Sequence, residues 1–129
     1  MHDELAKIIS SEKIDFVQFN YSIDSLHAEK RLMKVAGDNG VAILINRPFG
    51  EGRLFEKVKG KKLPEWCIEV GIKNWSEYFL KFILADPNVT CVIPATSDVQ
   101  HAVENYRAGS VSIPDFDLSR KMVNFLNYI

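Results

Sequence analysis

Apolar residues fall along the chain in two patterns, as short continuous runs and as longer stretches at helical spacing. The short runs cover 14–21, 41–45 and 90–93, where β-branched and aromatic residues lie between turn residues. The middle run is apolar throughout, which predicts a strand buried on both faces, as in a parallel sheet. Helical stretches separate the runs, so the order predicts an α/β fold in which about three parallel strands alternate with helices.

The helical stretches carry recognisable start and stop signals. Their predicted bounds are 3–10, 25–35, a short helix opening at Leu63, 74–84, 97–106 and 118–126. Ser97, with Gln100 three residues later, matches a capping box and predicts where the helix after the third strand begins. Three glycines interrupt the stretch after the second strand, which predicts a long loop over 47–62.

Length and composition narrow the range of functions. The 129 residues fit one domain over 1–129, and an apolar fraction of 47% with 26% charged residues is typical of an ordinary soluble protein. A net charge of −1 gives no general attraction to nucleic acid or anionic membrane, and no apolar run reaches membrane-spanning length. We therefore expect neither nucleic acid nor membrane as a partner.

The two cysteines do not indicate a metal site or a redox site. Cys67 and Cys91 lie far apart and neither belongs to a Cys-x-x-Cys pair, so zinc binding and dithiol redox chemistry have no support and no metal site is predicted. Cys91 lies in the apolar stretch 89–93, which predicts a small core residue. The charged start of the chain is not a signal peptide, and a reducing cytoplasm is the expected location.

The strongest local signal for chemistry is the third strand and the segment after it. Pro94 ends the strand, and Thr96 and Ser97 lead directly into a helix. Free backbone N–H groups and the positive end of the helix dipole make such a junction a potential anion site. Asp98 opposes this interpretation because its charge repels a phosphate, and an ordinary capped helix is the alternative.

Three segments in order resemble the end of the aldo-keto reductase family. Residues 93–97 (Ile-Pro-Ala-Thr-Ser) with the later Glu104-Asn105 are similar to the family's last strand and the helix after it. Residues 15–21 resemble the sixth strand, with its glutamine, and 46–50 (Asn-Arg-Pro-Phe-Gly) resemble the turn after the seventh. The resemblance implies a partial (β/α)₈ barrel that holds the last three β/α units.

The segments at 15–21 and 46–50 imply contacts with the nicotinamide and pyrophosphate parts of a cofactor. Gln18 matches a glutamine that hydrogen-bonds the nicotinamide carboxamide, and a hydrogen bond to backbone inside a barrel is the alternative. Asn46 stands where many members place a stacking aromatic residue. The turn Arg47, Pro48, Phe49 and Gly50 matches the segment beside the pyrophosphate. Arg47 is suited either to a phosphate or to a surface salt bridge.

The segment at 93–97, with Glu104 and Asn105, implies contacts with the adenosine end of the cofactor. Thr96 and Ser97 match the region that binds the 2′-phosphate, and Glu104 and Asn105 match the pair at the adenine edge. Ala95 and His101 replace a lysine and an arginine that are common in NADP-preferring members, so the cofactor is NADP or NAD. An exposed helix histidine is the alternative for His101.

The resemblance also implies which part of the chemistry is missing. The family's catalytic tyrosine, lysine, aspartate and histidine lie on the first four strands, to which nothing here corresponds, so no catalytic residue is predicted. His27 is expected to be exposed. The implied parent enzyme reduces carbonyls by hydride transfer, and the chain alone is expected to be inactive and to bind cofactor weakly at best.

A non-enzymatic function is the alternative. Three parallel strands leave both sheet edges without partners. This predicts a partial-barrel domain that acts in binding or self-association, as a homo-oligomer that covers its open edges. An unrelated flavodoxin-like domain would need more strands than the three found.

Overall fold

The computed structural model describes residues 1–110 and 112–129. The elements in chain order are α1 (His2–Ser11), β1 (Phe16–Asn20), a 3₁₀ turn (His27–Lys30), α2 (Leu32–Asp38), β2 (Ala42–Asn46), α3 (Arg53–Val58), α4 (Trp66–Glu69), α5 (Trp75–Leu84), β3 (Val89–Val92), α6 (Val99–Ser110) and α7 (Phe116–Tyr128). The predicted alternation of three strands with helices is therefore confirmed.

The three strands form one parallel sheet in the order β1-β2-β3. Gln18 lies opposite Leu44 and Asn20 lies opposite Asn46, so the carboxyl ends of β1 and β2 are level. The register between β2 and β3 shifts after Ile43, and the Thr90 hydroxyl accepts a hydrogen bond from the Ile43 N–H at 3.0 Å. A threonine at this irregularity satisfies a backbone donor that the shifted ladder leaves unpaired.

One face of the sheet packs against the helices and forms the core. Val17 and Phe19 of β1 and Ile43 and Ile45 of β2 are at most 6% exposed and belong to the same apolar cluster as the helix residues facing them. Burying a side chain of this size stabilises the fold by about 1.5–3 kcal/mol. The alternate positions of each strand therefore account for why these residues form strands in this fold.

The opposite face of the sheet has no covering layer within the described residues. Phe16, Gln18 and Asn20 are exposed, while Leu44 and Asn46 are half-buried. The expectation that the run 41–45 is buried on both faces was wrong for this chain. The apolar run supplies two faces, but only one of them meets helices here.

Two predictions of local structure need correction. The helix expected over 25–35 is a 3₁₀ turn followed by α2, and the chain breaks between them at Arg31, whose φ is −150°. The loop expected over 47–62 contains α3, because Leu54 and Val58, one helical turn apart, are both buried. A one-turn apolar pair is too short a signal to separate a helix from a loop.

The prediction that Cys91 is a core residue was also wrong. Cys91 is exposed and Cys67 is buried, and both are free thiols. β3 lies at an edge of the sheet, and its two central residues, Thr90 and Cys91, are both exposed. An apolar neighbourhood in sequence does not bury a residue on an uncovered edge strand.

The C-terminal helix α7 packs on the outside of α5. The Tyr78 hydroxyl donates to the Met122 carbonyl at 2.7 Å, and Arg120 forms two hydrogen bonds with Glu29 at 2.9 and 3.0 Å. Glu29 also accepts a hydrogen bond from Tyr21, and burial together with that bond raises the Tyr21 pKa. None of the helices within 1–110 and 112–129 is long and apolar enough to span a membrane.

Candidate functional site

The carboxyl ends of β1 and β2 bring two of the predicted site residues together. Gln18 Nε2 donates to Asn46 Oδ1 at 2.6 Å on the open face of the sheet. Gln18 therefore bonds a neighbouring side chain rather than backbone. The contact holds the Gln18 amide in one orientation and leaves its oxygen and its second N–H free to pair with another amide.

The turn after β2 contains three residues in the left-handed backbone conformation. Arg47 and Glu51 have φ values of 51° and 58°, and Gly50 has 58°. Left-handed backbone at a residue with a side chain costs about 1–2 kcal/mol, so packing must hold the turn in place. Pro48 and Gly50 are both buried, and the Gly50 N–H donates to the Arg47 carbonyl at 3.0 Å. The turn is thus built as a fixed element.

Charged side chains around this turn are paired with one another. Arg47 forms an ion pair with Glu51, which is the surface salt bridge that its sequence allowed as an alternative to phosphate binding. Arg53 Nε lies 2.7 Å from Asp24 Oδ2. Burial raises the pKa of Asp24, but hydrogen bonds from Arg53 and Ser22 outweigh it and lower the pKa overall. A phosphate at this turn would compete with Glu51 for Arg47.

A cleft of about 200 Å³ joins this turn to the segment after β3. Its lining combines three aromatic or imidazole rings with small polar groups: Phe49, Phe55, Ser76, Ala95, Thr96, His101 and Asn105. Phe49 and Phe55 lie 4.8 Å apart between ring centroids and both contact Phe79 in the core. Two motifs nearly fifty residues apart in sequence thus form one concave surface.

Four of the predicted residues line this cleft, and two predicted residues of the segment after β3 do not. Phe49, Thr96, His101 and Asn105 line it, whereas Ser97, which is exposed, and Glu104 lie outside the lining. The Glu104 carboxylate accepts a hydrogen bond from Gln100 at 3.3 Å.

Two lining residues were missed by the sequence analysis. Phe55 was placed in a loop because α3 was not recognised. Ser76 was treated only as part of the α5 start, where Asn74 is the cap. For Phe55 the sequence offers only the one-turn spacing of Leu54, Phe55 and Val58, which is too short to separate a helix from a loop.

The amino terminus of α6 differs from the predicted capping box. Asp98, not Ser97, occupies the capping position, because its carboxylate accepts the His101 N–H at 3.0 Å. The Asp98 N–H donates to Thr96 Oγ1 at 3.1 Å, and Gln100 bonds Glu104 instead of returning to the cap.

This cap changes the electrostatics of the junction. The backbone hydrogen bond from His101 lowers the pKa of Asp98, so a full negative charge remains at the helix start at neutral pH. The junction has the cap that the capped-helix alternative predicts, and an anion bound there would meet the negative charge of Asp98. Anion binding in the cleft would depend on Thr96 and His101 against the charge of Asp98.

Neither cleft nor turn has the composition of a metal centre. Over the described part of the chain, no three histidine, cysteine, aspartate or glutamate side chains are close enough to hold a metal ion. The cleft instead offers aromatic faces, hydroxyls, an imidazole and an amide, which is the mixed lining that small organic ligands prefer.

Comparisons with known proteins agree with this arrangement. A model of the aldo/keto reductase family matches residues 2–121, so the chain belongs to the aldo/keto reductase family. A search of curated protein sequences gives no significant match.

Solved structures of this family have the same fold. The aldo-keto reductase AKR11C1 from Bacillus halodurans is similar in its holo form (TM-score 0.71, 18% identity) and its apo form (0.74, 17%). Both matches cover 96% of this chain, but only 46% and 47% of the reductase. The thermostable aldo-keto reductase Tm1743, solved with the inhibitor epalrestat, has a TM-score of 0.68 at 23% identity, with 93% and 43% covered.

These matches confirm the fold class. The chain is a partial (β/α)₈ barrel of the aldo-keto reductase type with an open sheet, and it spans less than half the length of the reductases it matches. At these identities the structures establish the fold alone. Ligand contacts of this chain must be argued from its own residues.

Proposed function

We propose that the chain is the C-terminal part of a carbonyl-reducing aldo-keto reductase and supplies much of its cofactor site. The observation that carries this proposal is the cleft between the turn after β2 and the start of α6. Three separate sequence matches meet at one end of the sheet, where ligands of parallel α/β proteins bind. A bound nicotinamide cofactor supplies the hydride for such a reduction.

The residues fit a nicotinamide dinucleotide along a path from the open face to the cleft. Gln18, oriented by Asn46, has a free amide oxygen and N–H for the carboxamide. The fixed turn at 47–50 lies between this pair and the cleft and is suited to the pyrophosphate, with Arg47 released from Glu51. The cleft itself, with Phe49 and Phe55, has the size and character for part of the adenosine.

The adenosine end would be held by the α6 segment. Thr96 and His101 face the cleft and are suited to a 2′-phosphate, while Asn105 is suited to the adenine edge. We retain Ser97 and Glu104 as outer contacts that require a change of rotamer. Asp98 opposes the phosphate, so both NADP and NAD remain candidates.

The chemistry itself would come from residues outside this chain. The aldo-keto reductase reaction needs an acid within hydrogen-bond reach of the substrate carbonyl. Tyr21 and Tyr78 are buried and donate to Glu29 and to the Met122 carbonyl, so neither is an available acid. Tyr106 and Tyr128 are exposed, but neither lines the cleft. We therefore expect no catalytic residue in this chain and no reduction by the chain alone.

The experiment is a pair of assays on the purified chain. An NADPH-consumption assay with generic aldehydes should give no turnover, and turnover would overturn the claim that the catalytic part lies elsewhere. A fluorescence titration with NADPH should show weak binding. Micromolar affinity would show that these residues suffice for the cofactor, and no binding at any concentration would refute the half-site.

Self-association is the second candidate function, supported by the uncovered apolar surface. Phe16 on the open sheet face is 59% exposed, and Val99, Val103 and Tyr106 form an exposed stripe along α6 at 57–81%. A homo-oligomer would cover such surface. Light scattering that shows a stable monomer at high concentration would refute it. The free thiols are compatible with a reducing, cytoplasmic location.

A further inference from the structure

Two buried charged side chains of α5, Glu77 and Lys81, and a partly exposed arginine of α6, Arg107, lie where these two helices pack together. Glu77 and Lys81 lie one helical turn apart on α5 and are 1% and 0% exposed. Arg107, in the last turns of α6, places its Nε 3.3 Å from Glu77 Oε1. Charged residues are almost never fully buried unless they are paired, so this group needs an explanation.

Lys81 acts on the carboxyl end of α6. Its Nζ donates to the Ala108 carbonyl at 3.1 Å and to the Ser112 carbonyl at 3.0 Å. The last carbonyls of a helix lack partners within the helix, and a buried lysine from a neighbouring helix supplies one here. Burial lowers the Lys81 pKa, while Glu77 raises it and Arg107 lowers it further.

Glu77 connects this group to the lining of the cleft. Its Oε2 accepts the Lys73 N–H at 3.0 Å, which fixes the carboxylate at the start of α5. The preceding residue, Ser76, lines the cleft together with His101 and Asn105 of α6. From Ala108 back to His101 the helix rises only about 10 Å, so a rotation of α6 at its carboxyl end moves His101 and Asn105.

The group is poorly explained by stability alone. A buried ion pair loses so much hydration that apolar residues of equal volume often stabilise a protein as well or better. Buried polar groups with directional bonds instead fix one arrangement of the elements they join. Here the elements joined are the two helices that bound the cleft.

We propose that Glu77, Lys81 and Arg107 are positioning residues that set the orientation of α6 and with it the width of the nucleotide cleft. They touch no ligand and act through Ser76 on one wall and through His101 and Asn105 on the other. This role rests on the proposed function, in which the cleft binds the adenosine end of the cofactor.

The test compares Lys81→Met with Lys34→Met. Methionine keeps the length and burial of Lys81 but removes its bonds to α6. Lys34→Met makes the same change of charge in an exposed i,i+4 pair with Asp38 on α2. Arg107→Met and Arg107→Lys form a second pair, in which lysine retains the charge beside Glu77 and should restore part of the effect.

Two readouts are measured well below the melting temperature. In ¹H–¹⁵N spectra without ligand, Lys81→Met should shift the amides of residues 96–101, at the far end of α6, and Lys34→Met should not. By calorimetry, Lys81→Met should weaken binding of 2′,5′-ADP about fivefold, a typical coupling between separated sites. Arg107→Met should do the same, with recovery in Arg107→Lys.

The outcomes distinguish the positioning role from the proposed cofactor site. Shifts confined to the neighbourhood of Ala108, with 2′,5′-ADP affinity equal to that of Lys34→Met, would overturn the positioning role. If the unsubstituted chain binds neither 2′,5′-ADP nor NAD⁺, the proposed function fails. In that case the ligand-free spectra still decide whether the buried group orients α6.

Discussion

The two faces of the sheet differ in what their side chains contact, since one face packs into the core and the other is open. On the helix-covered face, Val17, Phe19, Ile43 and Ile45 are at most 6% exposed and pack into the core. On the open face, Phe16 is 59% exposed, and Gln18 and Asn46 pair with each other near the strand ends. Residues of the same strands, alternating one by one, therefore serve packing and candidate binding separately.

This division has a consequence for mutagenesis. Changes on the covered face should lower the free energy of unfolding, whereas changes on the open face and around the cleft should alter ligand binding with little loss of stability. A chain whose open face packs against another molecule in solution would break the rule, because both faces would then contribute to stability.

The largest expected effect is on the covered face. Ile43→Ala removes a fully buried side chain from the centre of the sheet and should cost about 2–5 kcal/mol of unfolding free energy. Urea denaturation measures it. Leu44→Ala, the next residue and half-buried on the open face, is the matched control and should cost about 1 kcal/mol or less. Equal losses at the two positions would show that the open face is covered in solution.

A smaller effect is expected where α7 is fastened to the helical layer. Arg120→Met breaks the paired bonds to Glu29 and the stacking of the guanidinium on Phe82 and Phe116. The pair is partly solvated, so the loss should be about 1–2 kcal/mol. Arg31→Met is the control, since its contact with Asp3 is exposed and 3.5 Å long. Similar melting temperatures for the two variants would contradict the account.

The buried thiol of Cys67 should make the free energy of unfolding fall at alkaline pH. Burial raises the Cys67 pKa from 9.0 to about 12. The unfolded thiol ionises first, so this contribution is complete below pH 9 and is lost as pH rises toward 12. Cys67→Ala should remove the decline that begins at pH 9, and Cys91→Ala on the exposed edge should retain it. Urea titrations between pH 8 and 10 test this, and an unchanged slope in Cys67→Ala would refute it.

The smallest effect concerns the charge at the cleft. Asp98→Asn keeps an N-cap for α6 but removes the negative charge that opposes a phosphate. Affinity for 2′,5′-ADP should rise about threefold, the usual size of one charge at a helix terminus. Asp117→Asn makes the same change in the first turn of α7 and should have no effect. Weaker binding in Asp98→Asn would show that the phosphate does not lie near this carboxylate.

The sequence predicted the covered face well and the rest less well, for a physical reason. The strands and the start of α5 follow from apolar periodicity and an asparagine cap, which act locally. Cys91 and the run 41–45 were misplaced because burial depends on which layers surround a strand. No pattern within a strand reports a layer that the described chain lacks.

Most of the candidate site was predictable through family resemblance alone, and only the junction at Thr96 and Ser97 also followed from residue chemistry. The matched segments suggested Gln18, the turn at 47–50 and the helix start at 96–101 as candidates, and the fold brings them to one end of the sheet. Phe55, Ser76 and the cap at Asp98 depend on α3 and on local rotamers. The buried contact between Lys81 and α6 joins residues 27 apart and has no local signal.

A ¹H–¹⁵N NMR titration of the chain with NADP⁺ and NAD⁺ tests the central claim most directly. We expect weak, saturable shifts in the Gln18 side-chain amide and in the backbone amides of residues 46, 47, 49, 50 and 95–105, with the covered face unchanged. Shifts spread over the covered face, or none in these segments up to the solubility of the cofactors, would contradict a cofactor half-site on the open face and its adjoining cleft.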